Sequence, residues 1–199
     1  MHTAASVIKK IVTANVVRGV TSVYDELFLL LNRNNDQVSV YSISDYQLLR
    51  QLNLPGFKRN DSNDITSCVR HKCLYMSDWD NSCIHSYNLA SNAISKWPVS
   101  GKPSSLSVTP SCNLLVTCRE PNKLAELSVE SGQCVREIAL QSDIKRPRHS
   151  VQLTTGQFAV CHGYWHINLH RVCIVGDDGK ITRSYGGGSD VGQLSLGCR

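Results

Sequence analysis

Apolar positions along this chain come in short bursts separated by polar turns, and the bursts recur. Val38-Ser39-Val40-Tyr41 is echoed 46 positions later by Ile84-His85-Ser86-Tyr87, and Leu29-Leu30-Leu31 by Tyr75-Met76-Ser77 at the same offset. Leu115-Val116-Thr117 repeats the theme 40 residues further on, and Ala159-Val160-Cys161 does so 44 residues after that. Two patterns occur inside the bursts. Val38, Val40 and Ser42 alternate with Ser39, Tyr41 and Ile43, the period of two required of a strand half-buried between sheets. Leu27 to Leu31 and Leu114 to Val116 are unbroken apolar runs, which suit strands covered on both faces. Turn signals such as Asn32-Arg33-Asn34-Asn35-Asp36, Pro55-Gly56, Glu130-Ser131-Gly132 and Gly176-Asp177-Asp178-Gly179 break the chain every eight to twelve residues. That spacing argues against helices and for hairpins.

A repeat of about 40 to 50 residues made of short strands and turns is the mark of a β-propeller. Residues 1–199 are therefore read as one all-β propeller domain, with blades at about 19–56, 64–100, 103–142 and 147–186 and partial blades at 6–17 and 189–199. Blade one is expected to hold strands at Val20–Val23, Glu26–Leu31, Gln37–Ile43 and Gln47–Leu54, and the inner strand of blade four to begin at Ser150. Closed rings need about four to eight blades, so four blades with partial ones at both ends read as an incomplete ring whose closure is open. Open edges invite pairing. Three outcomes fit: a longer natural protein, self-association of two copies through the open edges, or an unstable isoform. The first is preferred.

Composition narrows the function classes. A hydrophobic share of 41% is slightly low for a packed domain yet well above the disordered class. The net charge of +5 and pI near 8.7 fall short of the dense basic stripe of a dedicated nucleic-acid module. The one tight basic cluster, Lys145-Arg146-Pro147-Arg148-His149, reads as a solvated loop between blades. Nine cysteines show no pair separated by two residues, so zinc-finger spacing is absent. Cys73, Cys83, Cys118 and Cys161 fall in predicted strands, where a thiol behaves as a small buried hydrophobe. Met1-His2-Thr3-Ala4-Ala5-Ser6 does not resemble a secretory leader, and no apolar run approaches the ~18 residues of a membrane span. The expectation is a cytoplasmic protein with reduced thiols and no membrane contact.

The junction Ser184-Tyr185-Gly186-Gly187-Gly188-Ser189-Asp190-Val191-Gly192-Gln193-Leu194 resembles the inter-blade signature of NHL-repeat propellers. Asp177-Asp178-Gly179-Lys180-Ile181 is similar to that family's turn into a fourth strand, and Leu74-Tyr75-Met76-Ser77-Asp78 to its second strand. The chain departs from the pattern after Gln193, and blades one and three lack the Asp that Asp78 supplies in blade two. The resemblance implies a six-bladed, TolB-like ring used as an interaction module, in some members for single-stranded RNA. It also implies that a full-length relative carries an upstream zinc region of ubiquitin-ligase type, which these residues do not encode. Related propellers include lactonase-like hydrolases with a channel metal.

Candidate chemistry lies where the second strands end. Asn32-Arg33, Asp78-Trp79, Cys118-Arg119 and His162 occupy equivalent positions, and in a propeller such positions converge on one rim. Asn32, Arg33, Asp78, Trp79, Arg119 and His162 are thus the candidate partner-binding rim, Arg and Trp being enriched in binding hot spots. The blander reading has Asp78 and Asn32 satisfying loop amides and Trp79 filling the gap between blades. Lys145, Arg146 and Arg148 with Trp165 form a candidate RNA surface, since cations release counterions and aromatics stack bases. Arg33, Arg119, Trp79 and Tyr164 would extend that surface. For catalysis the sequence offers little. Asp64, Asp78, His149 and His162 make a mixed set with no repeated metal ligand, His166 and His170 are four apart but not on a helix, and Gly-x-Ser-x-Gly is absent. Gly186-Gly187-Gly188 has no helix after it to cradle phosphate. The expected function is a non-catalytic scaffold that binds a protein partner, with RNA binding and a metal-dependent lactonase-like hydrolase as alternatives, and with no catalytic residue, metal or cofactor.

Overall fold

The computed structural model describes residues 16–32, 37–58, 63–164 and 169–186, without the side chains of Asn32, Tyr164 and Leu169. Sixteen strands arise in it: β1 (Val16–Val23), β2 (Glu26–Asn32), β3 (Gln37–Ser42), β4 (Leu48–Asn53), β5 (Ile65–Cys68), β6 (Cys73–Asp78), β7 (Cys83–Asn88), β8 (Ile94–Pro98), β9 (Pro103–Val108), β10 (Leu114–Arg119), β11 (Asn122–Leu127), β12 (Cys134–Ala139), β13 (Pro147–Gln152), β14 (Phe158–Tyr164), β15 (Leu169–Val175) and β16 (Ile181–Tyr185). They form four antiparallel four-stranded sheets in simple chain order, the blades of a β-propeller. No helix among the described residues is long and apolar enough to cross a membrane.

The first strands of the blades, β1, β5, β9 and β13, stand side by side in that order and make the inner wall. Three apolar layers fill the seams between consecutive blades. Phe28, Leu30, Val38 and Val40 of blade one meet Leu74, Met76 and Tyr87 of blade two. Tyr75 and Ile84 meet Leu114, Val116 and Cys118 of blade three. Leu115, Leu124 and Ile138 meet Phe158, Val160, Cys173 and Val175 of blade four. Alternation along each strand sends odd and even positions into different seams, so β6 supplies Leu74 and Met76 to one and Tyr75 to the next. Removal of these side chains from water, about 25 cal/mol per Å² of apolar area, is what fastens blade to blade.

Polar groups are satisfied across the inner wall. Thr21 Oγ1 and Ser67 Oγ lie 2.7 Å apart, Ser107 Oγ donates to the Ser150 carbonyl at 2.8 Å, and Thr117 Oγ1 meets Ser150 Oγ at 2.6 Å. Asp64 links three blades. Its Oδ2 accepts the Leu106 N–H at 3.0 Å, and His149 Nδ1 stands 3.8 Å from the same oxygen. Burial pushes this carboxyl above its ordinary value, only partly offset by the Leu106 N–H, the His149 ring and the Ile65 N–H.

Two boundaries differ from the sequence expectation. Val16 and Val17, expected in a preceding blade, open β1 itself, with a bulge between Val17 and Gly19. Residues 1–15 lie outside the described residues, as do 187–199, which include most of the NHL-like junction and the second partial blade. The inner strand of blade four starts at Pro147, not Ser150. Only Lys145 and Arg146 of the basic cluster are exposed, and Pro147 is buried. A proline tolerates the first position of a strand because no ladder donor is required there.

Candidate binding rim

The ends of β6, β10 and β14 lie at one rim of the arc, and the sequence there supplies Asp78-Trp79, Arg119 and His162. Asp78 lies under the rim and not on it. Both its side chain and that of His85 are 0% exposed, with His85 Nε2 3.1 Å from Asp78 Oδ2. The same carboxylate accepts the Asn81 N–H at 3.0 Å, the Asn81 amide at 2.8 Å and the Lys58 N–H at 3.1 Å. Burial alone would push this carboxyl up, but the His85 ring and the Lys58 and Asn81 donors hold it below its ordinary value of 3.8. Phe57 packs edge-on against His85, with ring centroids 5.2 Å apart. Asp78 therefore works as the knot that closes the Trp79–Asn81 loop onto the chain leaving blade one.

The rim above the knot is cationic. Trp79 is half-buried, and the Arg119 guanidinium lies over its ring at 5.6 Å, a cation–π contact of about 0.5–1 kcal/mol. Arg119 alternates with Leu115 and Thr117, both of which face blade four. His162 alternates with Phe158 and Val160, which face blade three, and it pairs in register with Arg171. Arg148 occupies the bulge between Pro147 and His149 on β13. Arg119, Arg148, His162 and Arg171 thus converge on the seam of blades three and four, with Arg146 at φ 49° on the turn before β13. That turn is pinned by the Asn122 amide donating to the Ile144 carbonyl at 3.2 Å.

The electrostatics report the crowding. Burial and the nearby Arg148 and Arg146 bring Arg119 down to about 10, against a weaker upward pull from Glu120. Burial and Arg171 push the His162 imidazole below its ordinary value. Such an arrangement favours an anion, because each cation raises the field at the same point.

Of the sequence candidates, Trp79, Arg119 and His162 meet on this rim, joined by Arg146 and Arg148 from the candidate RNA surface, with Lys145 exposed beside them. Arg33 and Trp165, and the side chains of Asn32 and Tyr164, lie outside the described residues. The mixed metal set does not assemble: Asp64 approaches His149, Asp78 engages His85, and His162 pairs with Arg171. Among the described residues Asp78, Cys83 and His85 bring ligand atoms within 4.8 Å of one another. The Asp78 oxygens there are already taken by four donors, so the group reads as a hydrogen-bond knot. Reasoning from sequence missed His85 and Arg171. Only the register of β6 with β7 and of β14 with β15 identifies them.

No family model matches the sequence, and no curated protein does. Solved structures do match. Hydrazine synthase of Kuenenia stuttgartiensis superposes with a TM-score of 0.68 at 14% identity, over 91% of this chain and 52% of that one. Virginiamycin B lyase from Staphylococcus aureus gives 0.66 at 15% identity, over 88% and 56%. A chain of a nidogen/laminin complex gives 0.66 at 15% identity, over 84% and 62%. This chain thus spans little more than half the length of these structures, and at such identities the likeness establishes the β-propeller fold alone.

Proposed function

We propose that this propeller arc is a non-catalytic interaction scaffold whose rim docks an acidic segment of a protein partner at the seam of blades three and four. The observation that carries the reading is the convergence of Arg119, Arg146, Arg148 and Arg171 on one seam. The strands on either side are held by the apolar layer of Leu115, Phe158 and Val160. Little ordering entropy is then lost when a partner settles on them. The NHL-like features of the sequence fit the same role, since propellers of that kind serve as interaction modules.

Single-stranded RNA is the weaker reading, because the Trp79 ring already carries the Arg119 guanidinium in place of a base. Fluorescence anisotropy with a glutamate-rich peptide, and with an oligouridylate of equal charge, decides between them. The peptide is expected to bind, and charge reversal at Arg146 and Arg148 to weaken it about tenfold, equivalent to about 1.4 kcal/mol. A tighter oligouridylate complex, or binding untouched by reversal, sinks the proposal. A lactonase-like metal site predicts a lower melting temperature in chelator; the scaffold reading predicts no change.

A further inference from the structure

We propose that the seam of blades three and four recognises a phosphorylated side chain, a phosphoserine or phosphothreonine, as the anchor of the docked segment. This rests on the docking reading above and names the group that the rim grips.

Three strands of one blade bring donors to one end. His162 of β14 is only 6% exposed, yet its Nε2 finds no hydrogen-bond partner among the described residues. Arg171 of β15 stands beside it in register, and Arg148 enters from the bulge of β13. The Nε atoms of both arginines are buried and likewise lack a partner among the described residues. Buried polar groups in folded proteins are nearly always satisfied, so orphans call for an explanation. Three of them on adjacent strands, two permanently charged, point to a ligand that would complete the set.

The charge selects the ligand. A carboxylate brings one negative charge and two oxygens. A phosphate monoester brings about −1.5 to −2 and three strong acceptor oxygens. The seam gathers Arg148 and Arg171, with Arg119 and Arg146 next to them and Glu120 as the nearby acid. Arginine forks match phosphate oxygens two at a time. Repulsion among these cations is relieved most by the more highly charged anion. A compact dianion fits that field better than a run of single carboxylates.

The test is anisotropy on the whole chain with degenerate heptapeptide pools that differ only at the centre: phosphoserine, glutamate or serine. The phosphoserine pool is expected to bind at least tenfold tighter than the glutamate pool, with inorganic phosphate competing. Arg171→Lys keeps the charge and the fold but loses the fork, and is expected to erase most of the phosphoserine advantage. His162→Gln should reduce it as well. Equal binding of the phosphoserine and glutamate pools overturns the phosphate anchor and leaves acidic docking standing. Tighter binding of phosphoinositide vesicles or oligouridylate overturns it in favour of those ligands. Failure of all three pools and of the glutamate-rich peptide removes the docking reading together with the anchor.

Discussion

Asp78→Ala is expected to lower the unfolding free energy by about 3–5 kcal/mol, because several buried donors lose a charged acceptor together and each one left unsatisfied costs about 1–3 kcal/mol. The substitution strands the His85 ring, the Lys58 N–H and the Asn81 N–H at once, all of them gathered on the Asp78 carboxylate. His85 stands 0% exposed and Phe57 seals one side of its ring, so water cannot replace the lost acceptor without opening the seam of blades one and two. Urea denaturation measures the loss, and a shift under 1 kcal/mol would show that the knot carries no stability. Asp78→Asn separates charge from shape, since it keeps the volume but turns an acceptor into a donor facing the Lys58 and Asn81 donors. The pH dependence has a definite sign. Because the folded carboxyl sits below 3.8, its contribution is complete above that value and is lost as pH falls through the lower folded value. The difference in melting temperature between wild type and Asp78→Asn should therefore shrink below pH 3.8. Asp64, raised by burial, acts in the opposite direction in both proteins, and the difference cancels it.

The knot and the rim were legible in the sequence to different degrees, for physical reasons. The blades could be read because each needs the same amphipathic alternation, and burial on two faces leaves little freedom of composition at Leu74 to Met76 or Leu114 to Val116. Equivalent strand ends then placed Trp79, Arg119 and His162 on one rim without coordinates. Arg171 could not be placed that way, because its neighbour is set by the register across a loop whose length fixes no pairing by itself. His85 was hidden by its surroundings. In Ile84-His85-Ser86-Tyr87 it looks like one polar residue in an alternating strand, and its partner lies seven residues back on the neighbouring strand. The Lys145–His149 cluster misled for a related reason. Charge suggests a solvated loop, yet Pro147 begins a strand and Arg148, at its bulge, lies close enough to Arg119 to be felt there.

The stability of that seam has its own test at the opposite end of blade four. Gly179→Ala is expected to cost about 2–4 kcal/mol, from about 1 kcal/mol for a left-handed backbone that alanine resists plus the strain of overpacking. Gly179 has φ +78°, and a methyl there would sit 1.8 Å from the Ala139 carbonyl oxygen and 2.9 Å from its carbon. The obstacle is backbone of blade three, which cannot swing aside as a side-chain tip would. The same turn holds the two blades together, with the Gln141 N–H donating to the Gly179 carbonyl at 3.0 Å and Ile181 N–H to Gln141 Oε1 at 3.1 Å. Gly156→Ala is the matched control, with φ +85° and nothing within 4 Å. It should lose only the backbone share, about 1 kcal/mol. Urea denaturation of the pair isolates the clash, and equal losses would mean that the blades do not press together at Gly179. Because the rim needs both blades in register, Gly179→Ala should also weaken the glutamate-rich peptide while Gly156→Ala leaves it unchanged. Binding that ignores both substitutions would place the docking surface on a single blade.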